Sequence, residues 1–377
     1  MEFSLSEEQS LLKDSVQRYI QNSYSFEDRQ RLIRSEEGFS RETWKNFAEL
    51  GWLALPFSEE VGGFGGTAVE TMILMEEFGK GLVVEPYLAS IILAGSIIEK
   101  SQSDLIRSNI LSAIMSGEKI AALAFVEPQA RFNLSDVETL GEKGTDGFVL
   151  NGSKAVVIGG PSADYLVVPA RTSGSRVDED GITLFLVDSR AEGVSLRNYP
   201  TIDGHKASEI NFDKVSVEFS HVIGEVGKGF PILEEAIDRG IIAVGAEAVG
   251  AMEVLYKSTV EYCKTREQFG QPIGKFQVLQ HRMVDMFMEH EQSKSLLYMA
   301  AIKMSSADVT EKKRSISALK VQVGKSGRFV GQNAIQLHGG MGMTDELNIG
   351  HYFKRLTAIE TLFGNVDHHL KKYSNVA

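Results

Sequence analysis

IAALAFV (residues 120–126), GFVLNG (147–152), KAVVIGG (154–160), YLVVPAR (165–171) and ITLFLVD (182–188) follow one another closely, separated by turns carrying Gly, Asp, Ser and Pro. Short runs rich in β-branched and aromatic residues, bounded by turn formers, read as strands. They leave no room for the helical crossovers of about a dozen residues that a parallel nucleotide-binding sheet requires. The zone therefore reads as an antiparallel β-barrel or sandwich. Upstream, apolar residues recur at helical spacing, as in Leu11, Leu12, Val16, Tyr19 and Ile20, and Ser6 before Glu7 and Glu8 marks a helix start. Downstream, long helical patterns cover about 232–265, 276–304 and 310–337, and short loops between them imply an antiparallel bundle. The fold class expected is α+β multidomain. It has an N-terminal helical domain (1–118), a central antiparallel β-barrel domain (119–227) and a C-terminal four-helix-bundle domain (228–377).

Composition narrows the chemistry. A chain of 377 residues exceeds one ordinary core, in keeping with several domains. The formal net charge of -12 argues against nucleic-acid binding, which needs clustered cations. The single cysteine, Cys263, rules out an internal disulfide framework and fits a reducing compartment. The acidic opening MEFSLSEEQ does not read as a signal or transit peptide, and no apolar run reaches the length of a membrane span. A cytoplasmic location is expected. No Cys/His cluster has metal-ligand spacing, since adjacent His368 and His369 cannot share a helix face. The glycine-rich PFSEEVGGFGG (56–66) lacks the Gly-Lys-Ser/Thr ending of a phosphate-cradling loop.

Several segments, in order, resemble the acyl-CoA dehydrogenase family over nearly the whole chain. LGWLALPFSEEVGGFGG (50–66) is similar to its N-terminal Leu-Gly…Pro-Glu-Glu-Tyr-Gly-Gly segment, and FVEPQ (125–129) to the start of its Thr-Glu-Pro-Gly signature. LNGSKAVVIGG (150–160) resembles the hairpin that lies against the flavin. KTREQFGQPIGKFQVLQHRMVDM (264–286) resembles the Arg-x-x-Phe-Gly…Gln segment, and QLHGGMGM (336–343) the Gln-x-x-Gly-Gly-x-Gly flavin motif. The resemblance implies FAD as cofactor, bound by Arg266, Phe269, Gln336, Gly339 and Gly340, with Phe125, Val126 and Ile158 beside the flavin ring. These assignments make physical sense: Arg suits a pyrophosphate, Phe packs on a flat ring, and glycines admit backbone N–H groups to a phosphate or ribose. Val126, Val156 and Ile158 stand where relatives carry hydroxyls or Trp, leaving backbone groups to meet the flavin. Because the family's last two segments reach the FAD of a neighbouring subunit, an oligomer is implied.

The family's reaction removes the proton α to a thioester carbonyl while hydride leaves the β carbon, which calls for a carboxylate base of raised pKa. The segment that usually carries it falls on Leu362-Phe363-Gly364-Asn365, with Phe363 in place of the glutamate. Two replacements are open. Glu247 is the only charged group of GIIAVGAEAVGAM (240–252), so burial would raise its pKa. Some relatives carry their base on this same helix, about two turns nearer its beginning. The competing reading makes Glu247 half of a buried ion pair that holds the bundle together. Glu360, three residues before Phe363, is the second candidate. Asp238-Arg239 resembles the family's Asp/Arg pair near coenzyme A, which makes Arg239 the candidate substrate contact, a helix-start ion pair being the alternative.

The implied function is FAD-dependent oxidation of an acyl-CoA to a trans-2-enoyl-CoA, with electrons passed to an electron-transferring flavoprotein. SEEQSLLKDSV, RLTAIETLFG and DHHL are especially similar to small or second subunits of bacterial pimeloyl-CoA or steroid side-chain acyl-CoA dehydrogenases. A homotetramer or an α2β2 heterotetramer with a related chain is therefore expected. The alternative is a non-catalytic partner that completes the FAD or substrate site of a sister chain.

Overall fold

The computed structural model describes residues 4–375. The β-rich zone forms β1 (Ala121–Leu123), β2 (Leu140–Lys143), β3 (Gly147–Ile158), β4 (Tyr165–Arg171), β5 (Ile182–Asp188), β6 (Val194–Pro200), β7 (Lys206–Glu218) and β8 (Val222–Ile223). These make one sheet in the order β6-β7-β3-β2-β4-β5-β8, with β1 beside β4. This corrects the expected antiparallel barrel. β1 runs parallel to β4, pairing Ala122 with Leu166, and β2 meets β4 in parallel at Leu140 and Arg171. Among the described residues no pairing joins β6 to β8, so the sheet is mixed and open. The reason lies in residues 124–139, an irregular excursion that returns the chain before β2. Strand composition and spacing say nothing about direction after such a loop.

β4 and β5 are buried along almost their whole length, as central strands covered on both faces must be, whereas β6 alternates like an edge. Phe148, Leu150, Leu166, Phe185, Ile210 and Phe212 belong to the core over this sheet. β3 and β7 carry the longest pairing, and it is interrupted between Lys154 and Val157, where β3 holds one residue more than its partner.

The helices are α1 (Glu7–Ser23), α2 (Phe26–Arg34), α3 (Arg41–Glu49), α4 (Ala68–Gly81) and the short α5 (Ser96–Ile98) and α6 (Ser112–Met115) before the sheet. After it come α7 (Phe230–Thr265), α8 (Gln277–Lys303), α9 (Val309–His338), α10 (Asn348–Thr361) and α11 (Val366–Asn375). The three long ones match the periodic stretches closely. Capping explains the starts: Ser6 and Gln9 form a capping box on α1, and Asp308 accepts from the Glu311 N–H on α9.

The chain sorts into two compact units that cut across the domain boundaries expected from composition. Among the described residues, one contains residues 4–30, 68–83 and 241–375; the other contains Arg31–Thr67 and Val84–Gly240. Within the first, α1 packs on α4, α8 on α9, and α9 on α10 and α11. α4 and α7 cross backbone to backbone. A Cβ on Gly79 would run into the Glu247 carbonyl, and one on Gly250 into the Glu76 carbonyl. That crossing fixes the height of Glu247 in the bundle.

Candidate functional site

α7 is apolar all round between Ile241 and Met252, and Glu247 is only 3% exposed there. Its partner comes from α10. Arg355, 5% exposed, donates from Nε to Oε1 at 2.5 Å and from Nη2 to Oε2 at 2.6 Å. This is a bidentate guanidinium–carboxylate pair, in which each ion offsets the cost of burying the other. Both oxygens of Glu247 are thus occupied, which is the ion-pair arrangement weighed from the sequence. Arg355 was missed there, although a signal exists. It shares a buried helical face with Tyr352, Leu356 and Ile359, an unusual place for a cation without a partner.

Glu360 lies near the end of α10 beside α9. Its carboxylate is 3.6 Å from Arg328 Nη2, and its Cγ is among the neighbours that a side chain on Gly324 would meet. The turn that follows is held tightly. Lys320 Nζ donates to the carbonyls of Glu360 (2.9 Å) and Gly364 (2.7 Å), and His369 Nε2 lies 2.9 Å from the Phe363 carbonyl. Burial pulls Lys320 down to about 8 and His369 down to about 3, so the imidazole is neutral and donates through Nε2. Phe363 sits half-buried at φ 59°, a left-handed conformation rare for an aromatic residue.

The ends of α7 and α9 come together through Tyr262 and His338, whose rings stack at 4.4 Å. Just beyond Tyr262, Arg266 is exposed and leads into a two-residue hairpin turn of Phe269 (φ 56°) and Gly270 (φ 79°). Phe269 is 92% exposed, touching Phe276 edge-on at 6.1 Å. Beside His338, Gln336, Gly339 and Gly340 are likewise exposed. A Cβ on Gly339 or Gly340 would meet nothing within 4 Å, and Gly340 has no positive φ. Neither packing nor backbone conformation in this chain calls for glycine at 340. The missing side chain leaves bare backbone open to a group from outside, which fits a phosphate or ribose approaching at Gly340, the Gly339 N–H itself being donated to the Gln336 carbonyl.

In the second unit, the Ala155 N–H donates to the Val126 carbonyl at 2.8 Å, which places half-buried Phe125 and Val126 against the end of β3 with Ile158. Behind them lies a buried pair that the sequence reading did not single out: Lys154 Nζ donates to Glu127 Oε1 at 2.6 Å. Burial alone would raise the Glu127 carboxyl, but the Lys154 charge and the hydrogen bonds it receives hold it down at about 2. Arg239, near the start of α7, donates from Nη2 to Glu235 Oε1 at 2.9 Å, so its helix ion pair is with Glu235. Asp238 beside it is buried. Among the described residues there is no group of His, Cys, Asp and Glu able to hold a metal, and no helix long and apolar enough to cross a membrane.

Three family models match in series: the acyl-CoA dehydrogenase N-terminal domain at residues 6–118, the middle domain at 122–215 and the C-terminal domain at 227–373. A short-chain-specific acyl-CoA dehydrogenase of Clostridium acetobutylicum is 30% identical over 92% of this chain and 91% of its own. The FAD complex of PigA superposes with a TM-score of 0.92 at 26% identity, covering 100% of this chain and 98% of that one. The ChsE4-ChsE5 complex of Mycobacterium tuberculosis shares the fold, with a TM-score of 0.90 at 23% identity, covering 100% and 98%.

Proposed function

The chain belongs to the acyl-CoA dehydrogenase family, and from that premise we propose that it serves the FAD-dependent oxidation of an acyl-CoA to its 2-enoyl thioester as one subunit beside a related chain. The observation that carries the two-chain reading is the state of its carboxylates. Phe363 occupies the usual base position, Glu247 has both oxygens on Arg355, and Glu360 faces Arg328. A general base needs a free oxygen within about 3 Å of the proton it takes, which Glu247 lacks while it holds Arg355. Glu360, 3.6 Å from Arg328, is open but belongs to the second reading below. In the two-chain reading the free oxygen comes from the sister chain.

FAD, when bound, supplies the two-electron acceptor. Arg266 as the fixed cation for the pyrophosphate, the bare backbone at Gly339 and Gly340 with Gln336, and Phe269 as an exposed ring surface would reach the FAD of a neighbouring subunit. Phe125, Val126 and Ile158 would edge the ring of this subunit's own FAD through their backbone groups. Arg239 would meet the anionic coenzyme A moiety. Val278, Val284, Phe287 and Met288 on α8 and Met341 and Met343 beyond α9 are exposed apolar residues. Their exposure supports a tetramer, homomeric or α2β2, and an electron-transferring flavoprotein is the proposed oxidant.

A second reading keeps the base in this chain: Glu247, buried amid apolar residues, takes the proton after Arg355 releases it, or Glu360 does so. Purification alone and together with the related chain separates the two. Flavin content and dye-linked turnover appearing only in the mixture are the expected results, with turnover kept in the Glu247→Leu/Arg355→Met double variant, which leaves no buried charge unpaired. Turnover by the isolated chain that this folded double variant abolishes would replace the first reading with the second.

A further inference from the structure

Val156 combines three features that do not ordinarily coincide. It is β-branched, it has a positive φ of 51°, and it is 44% exposed. A β-branched side chain in that conformation is strained, and such strain persists only where the surroundings over-determine the backbone. The surroundings are visible. Lys154 pairs with Ile210 of β7 and Val157 with Ser208, so Ala155 and Val156 form a β-bulge that pushes Val156 out of the sheet.

Two residues before Val156, the Lys154 side chain is wholly buried. Its ammonium donates to Glu127 Oε1 at 2.6 Å and to the Pro169 carbonyl of β4 at 2.7 Å. The Glu127 carboxylate also accepts from the backbone N–H of Glu138 (2.7 Å) and Thr139 (3.1 Å) and from Gln129 Nε2 (2.8 Å). One ion pair thus ties the loop after β1, the bulge of β3, the middle of β4 and the entry to β2. On its outer side the bulge is sewn to the loop by the Ala155–Val126 hydrogen bond. Buried ion pairs contribute little net stability compared with apolar residues of equal volume. What this one supplies is geometry.

We infer that Glu127 and Lys154 are positioning residues that hold Val126 and the Ala155–Val156 bulge as one rigid ledge against which the flavin ring is seated. The inference rests on the proposed FAD function and extends it to a pair that does not itself touch the cofactor. Neutralising the pair is expected to disturb flavin binding more than folding.

The test uses Lys154→Met and the double variant Glu127→Gln/Lys154→Met, purified with the related chain wherever wild type needs it. In the double variant no buried charge is left alone, and the amide oxygen introduced at position 127 still accepts one of the two backbone N–H groups, which in wild type reach different carboxylate oxygens. Thermal unfolding of the flavin-free protein therefore drops less than in Lys154→Met alone. FAD affinity is expected to fall by about tenfold or more, equivalent to ~1.4 kcal/mol. The visible band of bound flavin is expected to lose its fine structure. In the flavin-free protein, amide exchange at Ala155 should rise by roughly a hundredfold as the ledge loosens. A double variant with wild-type affinity, flavin spectrum and Ala155 exchange overturns the inference. A wild-type protein that takes up no FAD, with or without its related chain, overturns the functional reading beneath it, and the two failures are distinguishable.

Discussion

Arg355→Met leaves Glu247, 3% exposed, as a buried carboxylate stripped of both its guanidinium hydrogen bonds. Breaking a buried pair from one side costs about 3–5 kcal/mol, because the remaining ion has neither water nor a counter-charge. At about 2–4 °C per kcal/mol for a folding unit of this size, the thermal midpoint should drop by roughly 6–20 °C. Removing the second charge should restore most of the loss. Glu247→Leu in the Arg355→Met background fills the site with apolar atoms of similar volume, and such replacements are neutral or stabilising. Scanning calorimetry or circular dichroism on the four proteins of the cycle at neutral pH yields the coupling between the two positions. A loss below about 1 kcal/mol for Arg355→Met would refute the reasoning, since a buried unpaired carboxylate cannot be that cheap. So would a double variant no more stable than Arg355→Met.

Burial lowers the pKa of His290, His338, His351, His368 and His369, the last to about 3 from 6.5. The unfolded chain therefore binds more protons than the folded one between about pH 6.5 and 3, and stability must fall on acidification through that window. His369 alone should account for up to ~1.4 kcal/mol between about pH 6.5 and 5.5, so His369→Gln should flatten the melting-temperature profile measured across that interval. Gly250→Ala should separate α4 from α7 against the Glu76 carbonyl and destabilise by about 2 kcal/mol or more in urea unfolding. Gly340→Ala, which meets no atom of its own chain, should unfold like wild type yet weaken FAD in a flavin titration; equal affinity would remove that glycine from the cofactor site.

Helix content was legible because 3.6-residue periodicity survives without knowledge of partners; the patterns near 232–265, 276–304 and 310–337 correspond to α7, α8 and α9. Strand positions were legible for the same local reason. Strand direction was not, since the turn back through residues 124–139 is written in contacts with β4 rather than in composition. The candidate site divides in the same way. Gly339, Gly340, Arg266 and Phe269 were visible as a motif, and the structure leaves them exposed with open space at both glycines. Glu127 and Lys154 were in view within FVEPQ and NGSKA, yet nothing in either segment announces that the two charges meet behind the bulge.

Glu247 marks where the two kinds of information part. The sequence by itself determined that a carboxylate sits in an apolar helix and must be neutral, paired or active, because desolvation is a property of the immediate neighbours. Which of these holds depends on a cation 108 positions away, brought to 2.5 Å only when α10 packs into the bundle. Charge pairing acts over a few ångströms of space and is indifferent to distance along the chain. The tertiary structure alone therefore decided that Glu247 lies on Arg355.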